Sequence, residues 1–379
     1  MYLAVRLRWN IAYQLRHRTE LKEFRKAGFP LAKCEGEEAF ADRWKSICST
    51  PSVGFYRFYA PFIGNNKDIL PDDIFHMTIE PMLNNQNALS LYSDKNLYDK
   101  LIDEKAFPKS LLRNIDGDFF DDKYRLVRMT EEVFRSMILE NPEIINSGRF
   151  IIKPTIETCG GIGVRLFNRT SDNRWISNDG QVLSLGSLAS LYRSNFIIQE
   201  CVEPSDFVRQ FSPEAYNTFR VITYRSIADD LPKLLGFYMR IGAKGSFKDN
   251  VHSGGFVCPV TSEGVLFRYA FNGKRKRHTV INGVDLESGT YTVPNYQGVV
   301  DLAFAVAKKM TLQRLLSFDI ILNHENQPRI IEINIKNQTI TTVQTTTGPF
   351  FGEYTKEIIE YCQTHKNKIC YESVFRHTF

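Results

Sequence analysis

The stretch SFDIILNHENQPRIIEINI, residues 317–335, consists of two apolar runs separated by a polar turn containing Pro328. That pattern predicts a β-hairpin. If Leu322 pairs with Arg329 across a six-residue loop, antiparallel counting sets Asp319 opposite Glu332, with Phe318 and Ile320 opposite Ile333 and Ile331. Side chains alternate along a strand, so Glu332 and Asn334 point the same way. Asp319 joins them from the facing strand at about 5 Å. Two carboxylates so placed repel each other, and among apolar residues the arrangement is unfavourable unless something positive sits between them. Asp, Glu and Asn offer only oxygen donors, a set that suits Mg2+ carrying substrate phosphates. The competing reading is an exposed hairpin with two unrelated acids on its polar face.

Upstream, FIIKPTIETCGGIGVRLFN (150–168) places Lys153 at the end of an apolar run, followed by a loop with Gly160, Gly161 and Gly163 and then a second run. This predicts a hairpin lid whose glycines let backbone N–H groups approach phosphate oxygens while a strand lysine contacts them as a point charge. It is not a P-loop, and an ordinary turn has the same composition. FIIQECVEPSDF (196–207) reads as a strand passing between lobes, with backbone groups of Glu200 and Val202 available to an adenine edge and Asp206 to a ribose. NTFRVITYR and GFYMRIG supply Arg220 and Arg240, and GSFKDNVHSGG supplies Asn250 before a Gly254-Gly255 turn. The two arginines lie in apolar runs, where an unpaired charge is costly. They read as an anion clamp or as salt-bridge partners.

The chain has 379 residues, 43% hydrophobic and 24% charged, which suffices for two or three packed lobes and argues against disorder. Arg6, Arg8, Arg16, Arg18, Lys22, Arg25 and Lys26 face only Glu20 and Glu23 within residues 1–26, so this segment alone carries the formal net charge of +5. Either it is a solvated helix or it contacts an anionic membrane, a nucleic acid or an acidic partner. Leu3, Val5, Leu7, Trp9, Ile11, Tyr13 and Leu15 alternate as in a strand, over a length unusual for one. Arginines interrupt any signal-peptide core, and no apolar run is long enough to span a bilayer. Seven scattered cysteines without C-x-x-C spacing suit reduced thiols in a cytoplasm.

Three parts are expected: an N-terminal lobe over 1–128, a lid subdomain over 129–200 and a C-terminal subdomain over 201–379. Val300 to Leu316 reads as a helix before the last hairpin, and TKEIIEYCQTHK as one after it. The class implied is α+β.

The order of these features resembles the ATP-grasp superfamily, in which ATP is held between two α+β lobes. NTFRVITYR…GFYMRIGAKGSFKDNVHSGG is similar to the corresponding stretch of ribosomal-protein glutamate ligases, and the Asp319 to Glu332 and Asn334 spacing is similar to that of D-alanyl-D-alanine ligases. SDKNLYDKL, FIIKP, the NTFR segment and DN-x-x-x-GG look closest to the sugar-transfer-associated ATP-grasp family, encoded among capsule and polysaccharide functions. The likeness covers roughly 60–350.

It implies Lys95 and Lys153 as phosphate-contacting lysines, Glu200 and Val202 as the adenine hinge and Asp206 as the ribose acid. Arg220, Arg240 and Asn250 would hold the acyl phosphate and the transferred phosphoryl group, and Asp319, Glu332 and Asn334 would bind Mg2+ or Mn2+. Where relatives continue the Glu-x-Asn with a small residue and a Pro-Gly turn, this chain has IKNQTITTVQTTTG, a departure on the acceptor side of the pocket.

The activity implied is ATP-dependent ligation of a small-molecule carboxylate to an amine through an acyl phosphate, with an amino acid or a sugar nucleotide among the substrates. A phosphotransferase on the same scaffold and a non-catalytic nucleotide-binding partner of a glycosyltransferase are the alternatives. Such a glycosyltransferase or a membrane surface is also a candidate contact for the basic N-terminus. Lys274, Arg275, Lys276 and Arg277 form either a solvated turn or a surface for an anionic substrate. No nucleic-acid partner is expected, because the flanking aromatics form no stacking module. The histidines, His252 and His278 included, are given structural roles.

Overall fold

A computed structural model of the chain describes residues 2–156, 161–365 and 369. The odd-numbered apolar residues of the N-terminus lie in one long helix, α1 (Tyr2–Lys26), not a strand. Apolar side chains at every second position point all round a helix, so Tyr13 enters the core while Leu7, Ile11 and Leu15 face outward. At its C-terminus, Phe29 N–H reaches the Phe24 carbonyl and Gly28 N–H the Arg25 carbonyl, each at 3.0 Å, around Gly28 at φ 97. This is a Schellman termination, and Gly28 supplies the left-handed residue it requires. Phe24 and Phe29 then pack on Phe58 of the helix Val53–Ile63.

Among the described residues sixteen strands follow: β1 (Ser110–Ile115), β2 (Asp118–Phe120), β3 (Leu126–Val127), β4 (Arg149–Pro154), β5 (Arg165–Arg169), β6 (Trp175–Ser177), β7 (Phe196–Glu200), β8 (Thr218–Arg225), β9 (Pro232–Ile241), β10 (Phe256–Pro259), β11 (Ala270–Asn272), β12 (Arg277–His278), β13 (Val280–Ile281), β14 (Val284–Asp285), β15 (Leu315–Leu322) and β16 (Pro328–Asn334). The first sheet has the order β3-β2-β1-β7-β4-β5-β6 and the second β12-β11-β10-β9-β8-β15-β16, while β13 and β14 form a separate ribbon. With helices before and between antiparallel sheets, the class is α+β. The first sheet takes β1 to β3 from before residue 128 and β4 to β7 from after it, so it crosses the boundary expected there.

The helix expected to reach Leu316 runs instead from Tyr296 to Lys309. Met310 leaves helical geometry at ψ 63, and Leu315 and Leu316 open β15, where Leu316 packs against that helix from the sheet.

Alternation along the second sheet sorts its faces. Phe219, Val221, Phe237, Met239, Phe318 and Ile320 share a core with the helix Tyr296–Lys309. The opposite face carries Ile222, Tyr224, Tyr238, Val257 and Leu315, which pack against the N-terminal helices. In the first sheet, Phe150, Ile152, Phe196 and Ile198 are buried in a third core. Lys153 and Gln199, at alternate positions, line a small cleft with Ile330 and Ile331 of the second sheet.

Candidate active site

Asp319 lies opposite Glu332, and Ser317 opposite Asn334, as the hairpin count predicts. Toward the tip, however, Ile320 faces Ile330 and Leu322 faces Pro328, one residue away from the expected partners. Ile331 is the extra residue of a β-bulge, so the pairing slips by one without flipping the acidic row. The bulge keeps Ile330 and Ile333 in the core and leaves Ile331 and Glu332 partly exposed between them.

Asp319 also faces Arg220 on β8, and Arg220 faces Tyr238 on β9. A row of Tyr238, Arg220, Asp319 and Glu332 therefore crosses four neighbouring strands on one face. Asp319 is 3% exposed. Its carboxylate accepts from Arg220 Nε, from Arg220 Nη2 at 2.9 Å and from Arg240 Nη1 at 2.9 Å. Burial alone would raise its pKa, but the two guanidinium groups outweigh it and hold the carboxyl below its ordinary value. Arg240 also binds Asp249 at 2.8 Å, and Thr218 donates to the same carboxylate. Burial raises the Asp249 pKa against the pull of Arg240. The positive charge that the facing acids require thus comes in part from Arg220 and Arg240, which are ion-paired in the site and not exposed on the surface.

Further charge arrives from β4 of the first sheet and from the short 3-10 turn Lys95–Leu97 beside it. Lys95 Nζ lies 2.9 Å from Glu332 Oε1, and Lys153 Nζ donates to the Ile331 carbonyl at 3.0 Å. The SDKN turn is fixed on both sides: Asp94 Oδ1 accepts from Asn96 N–H at 2.9 Å, and buried Asn96 donates to Asn114 O at 3.0 Å and Thr155 Oγ1 at 3.1 Å. Lys95 N–H donates to the Thr155 carbonyl at 3.1 Å, just past the strand that bears Lys153. Burial, then the neighbouring Lys95, push the Lys153 ammonium down to about 7, while Glu332 pulls the other way.

Asp319, Glu332 and Asn334 form an oxygen-only donor set. Asn334 Nδ2 donates to the Ser317 carbonyl at 3.5 Å, and among the described residues nothing donates to its amide oxygen. Glu332 is held through one oxygen. Those donors fit a hard divalent cation such as Mg2+. Asp319 fits with both oxygens already accepting from arginine and one further lone pair on Oδ1.

The remaining predicted residues are placed as follows. Gly160 lies outside the described residues. Gly161 (φ 71) approaches the Lys248 side chain, and Gly163 (φ 76) sits so close to Pro154 that a Cβ would come within 2.7 Å of its ring. Glu200 N–H donates to the Lys109 carbonyl at 2.9 Å, and its carboxylate accepts from Lys109 N–H at 2.8 Å. The Val202 carbonyl accepts from the Tyr216 hydroxyl at 3.0 Å. Those two hinge groups are engaged within the chain, so an adenine edge would need other backbone groups there. The Asp206 side chain is fully exposed at the start of a short helix. The Asn250 carbonyl accepts from Ser253 and Gly255 N–H at 3.0 and 3.2 Å, closing the turn beside β9.

The basic run divides. Lys274 and Lys276 are exposed, and Arg277 lies over the Tyr269 ring at 4.6 Å. Arg275 occupies a left-handed position, φ 61, in the turn between β11 and β12, where Asn272 N–H donates to the Lys276 carbonyl at 3.1 Å. Its partly buried guanidinium has no hydrogen bond or ion pair among the described residues. Burial holds its pKa below the usual arginine value, against the pull of nearby Tyr59, Tyr238 and Asp72.

Sequence reasoning missed Tyr238, Asp249 and Gln338. Tyr238 is visible only through strand pairing, and Asp249 is one residue before the chosen Asn250. Gln338 lies in the departure segment: its side chain joins the Asn334 carbonyl to Ser317 Oγ, and its N–H donates to Glu80 Oε1 at 2.7 Å. That segment also holds Gln344, which binds both N–H and C=O of Leu70 at 2.7 and 2.8 Å. IKNQTITTVQTTTG is therefore the seam that fastens the N-terminal lobe to the site.

Among solved structures, purK, an N5-carboxyaminoimidazole ribonucleotide synthetase in its ADP complex, aligns at 12% identity over 66% of this chain and 46% of its own, with TM-score 0.38. The ATP-grasp ligase PsnB with minimal precursor aligns at 13% over 74% and 64%, with TM-score 0.37. D-alanyl-alanine synthetase A from Vibrio cholerae O1 biovar eltor aligns at 11% over 74% and 66%, with TM-score 0.37. The chain spans less than two thirds of the length of each. No curated protein matches it. The model of the sugar-transfer associated ATP-grasp family matches residues 75–358, three quarters of the chain, and covers Lys95, Lys153, Arg220, Arg240, Asp319, Glu332 and Asn334. The chain belongs to the sugar-transfer associated ATP-grasp family.

Proposed function

We propose that this chain is an ATP-dependent carboxylate-amine ligase of capsule or surface polysaccharide synthesis. It would join an amino acid or other amine to a sugar or sugar-nucleotide carboxylate, or an amino acid to an amino sugar. The observation that supports it most is the row of Arg220, Asp319 and Glu332 in register across three strands, met by Lys153 from the other sheet and Lys95 from the turn beside it. Anion clamp, oxygen donors and phosphate-seeking lysines are what phosphoryl transfer to a carboxylate requires.

In this reading Lys95 and Lys153 exchange Glu332 and the Ile331 carbonyl for ATP phosphate oxygens, under the lid loop of Gly160, Gly161 and Gly163. The Glu200–Val202 segment flanks the adenine and Asp206 the ribose. A carboxylate oxygen attacks the γ-phosphorus, and ADP departs with the electrons of the broken P–O bond, leaving an acyl phosphate. The amine nitrogen then attacks the carbonyl carbon, phosphate leaves, and the nitrogen gives up its proton to form the amide. Arg220 and Arg240 steady the transferring group and the tetrahedral oxyanion, with Asn250 beside them. Bound Mg2+ or Mn2+, held by Asp319, Glu332 and Asn334, supplies charge neutralisation at the phosphates. Arg275 and the Tyr238 hydroxyl face the anionic part of the acceptor. The first sheet serves as the lid subdomain and the second as the C-terminal subdomain.

A cytoplasmic setting is part of this proposal. The five described cysteines are free thiols, and burial pushes Cys258 and Cys362 up to about 12. No described helix is long and apolar enough to cross a membrane.

The test is phosphate release from Mg-ATP with pooled amino acids and pooled sugar nucleotides, each alone and together. Release that requires both pools supports ligation. ADP formation with one pool, a phosphorylated product and no free phosphate would replace it with a phosphotransferase.

A further inference from the structure

One stripe of α1 is unlike the rest of the surface. Leu7, Ile11 and Leu15, at four-residue spacing, are 59%, 49% and 56% exposed. Arg18, Lys22 and Arg25 continue the same stripe at spacings of three, four and three residues, and all three are exposed. No acidic residue interrupts it. The opposite side fixes the helix to the protein: Tyr13 and His17 are 1% and 4% exposed, and the His17 ring stacks on His76 at 6.2 Å. His17 Nδ1 also lies 2.9 Å from Glu20 Oε2. Tertiary packing therefore holds the outward stripe as a preformed helical ridge.

We propose that α1 seats the protein on an anionic lipid surface, with Leu7, Ile11 and Leu15 entering the headgroup–acyl boundary and Arg18, Lys22 and Arg25 lying against lipid phosphates. Three features favour a bilayer over other occupants. The stripe is a convex ridge of aliphatic side chains, which a fluid interface accommodates and a preformed protein groove must match in shape. It carries no aromatic anchor of the kind that dominates protein interfaces. Its cations follow the apolar half instead of surrounding it, so a helix tilted into the interface buries one half while the other remains at the charged headgroups. A nucleic acid would leave the aliphatic half exposed.

The test is sedimentation of the full chain with phosphatidylcholine vesicles, with and without phosphatidylglycerol. The chain is expected to pellet with the anionic vesicles, to remain in solution with the neutral ones, and to be released as salt is raised. Substituting Leu7, Ile11 and Leu15 with Ser, or Arg18, Lys22 and Arg25 with Glu, should each weaken binding by roughly tenfold or more with the melting temperature unchanged. Failure of the full chain to pellet with anionic vesicles, or undiminished pelleting of both variants, would overturn the proposal. Self-association that the Ser variant abolishes, without vesicle binding, would assign the stripe to a second copy instead and overturn it equally.

Discussion

Lys153 on the first sheet and Ile331 on the second are joined by a 3.0 Å hydrogen bond from the lysine ammonium to the carbonyl of the bulged residue. The ammonium is costly where it sits, because burial and Lys95 lower its pKa from 10.5 to about 7. Between those two values the unfolded chain keeps a proton that the folded chain has lost, so stability rises with pH across that window. Lys153→Met should flatten that rise in melts run from pH 7 to pH 10.5 without nucleotide. ATP phosphates would restore the charge, so ATP binding near pH 8 should take up a proton, visible as calorimetric heats that vary with the buffer. Heats independent of buffer, with a wild-type stability profile in the Met variant, would remove Lys153 from the phosphate site.

Glu332 holds Lys95 at 2.9 Å and stands opposite Asp319. Glu332→Ala deletes an oxygen donor and leaves a largely buried ammonium without its partner. Turnover should fall at least ~100-fold from lost charge stabilisation. The lost ion pair should lower stability by about 1–3 kcal/mol, leaving a cooperative melt. Retained turnover would remove the acidic row from the chemistry.

Arg275 combines backbone strain with an unpaired charge. A non-glycine residue at φ 61 sits in the left-handed region at a penalty of about 1 kcal/mol. Arg275→Gly should therefore raise the melting temperature slightly, by about 0.5–1 kcal/mol of stability. The same change should raise KM for the anionic acceptor roughly tenfold or more through the lost charge-assisted contact, with KM for ATP unchanged. A rise in stability without any loss of acceptor binding would show that the strain serves no substrate.

The acidic row was legible in the sequence because strand alternation has a fixed period of two, and counting from the turn reaches Asp319 and Glu332 with few ways to err. The bulge at Ile331 was not legible, since an extra apolar residue among isoleucines leaves no pattern to read. The pairing of Asp319 with Arg220 and Arg240 depends on which strands become neighbours, and β8 and β15 are about ninety residues apart in the chain. α1 was misleading for a different reason. Apolar residues at every second position satisfy a strand period locally, but the helix uses only one side of them for the core and leaves Leu7, Ile11 and Leu15 outside.

Gln338 and Gln344 stand six residues apart in the same departure segment and should fail in different ways. Gln344 is fully buried and satisfies both backbone groups of Leu70, itself fully buried. Gln344→Ala leaves that N–H and C=O without partners and should destabilise the protein by about 2–4 kcal/mol. Because Gln344 serves the lobe seam, activity per folded molecule should survive at low temperature. Gln338 instead accepts from Ser317 Oγ and donates to the Asn334 carbonyl, holding the strand end that presents the Asn334 amide. Gln338→Leu keeps most of the volume and its own backbone N–H to Glu80. It should therefore lower stability by only about 1–2 kcal/mol while weakening Mg2+ binding and lowering kcat, each by roughly tenfold. The decisive measurement is the Mg2+ concentration for half-maximal activity, which should shift upward for Gln338→Leu and stay fixed for Gln344→Ala. An unshifted Mg2+ requirement in Gln338→Leu would reduce Gln338 to part of the seam.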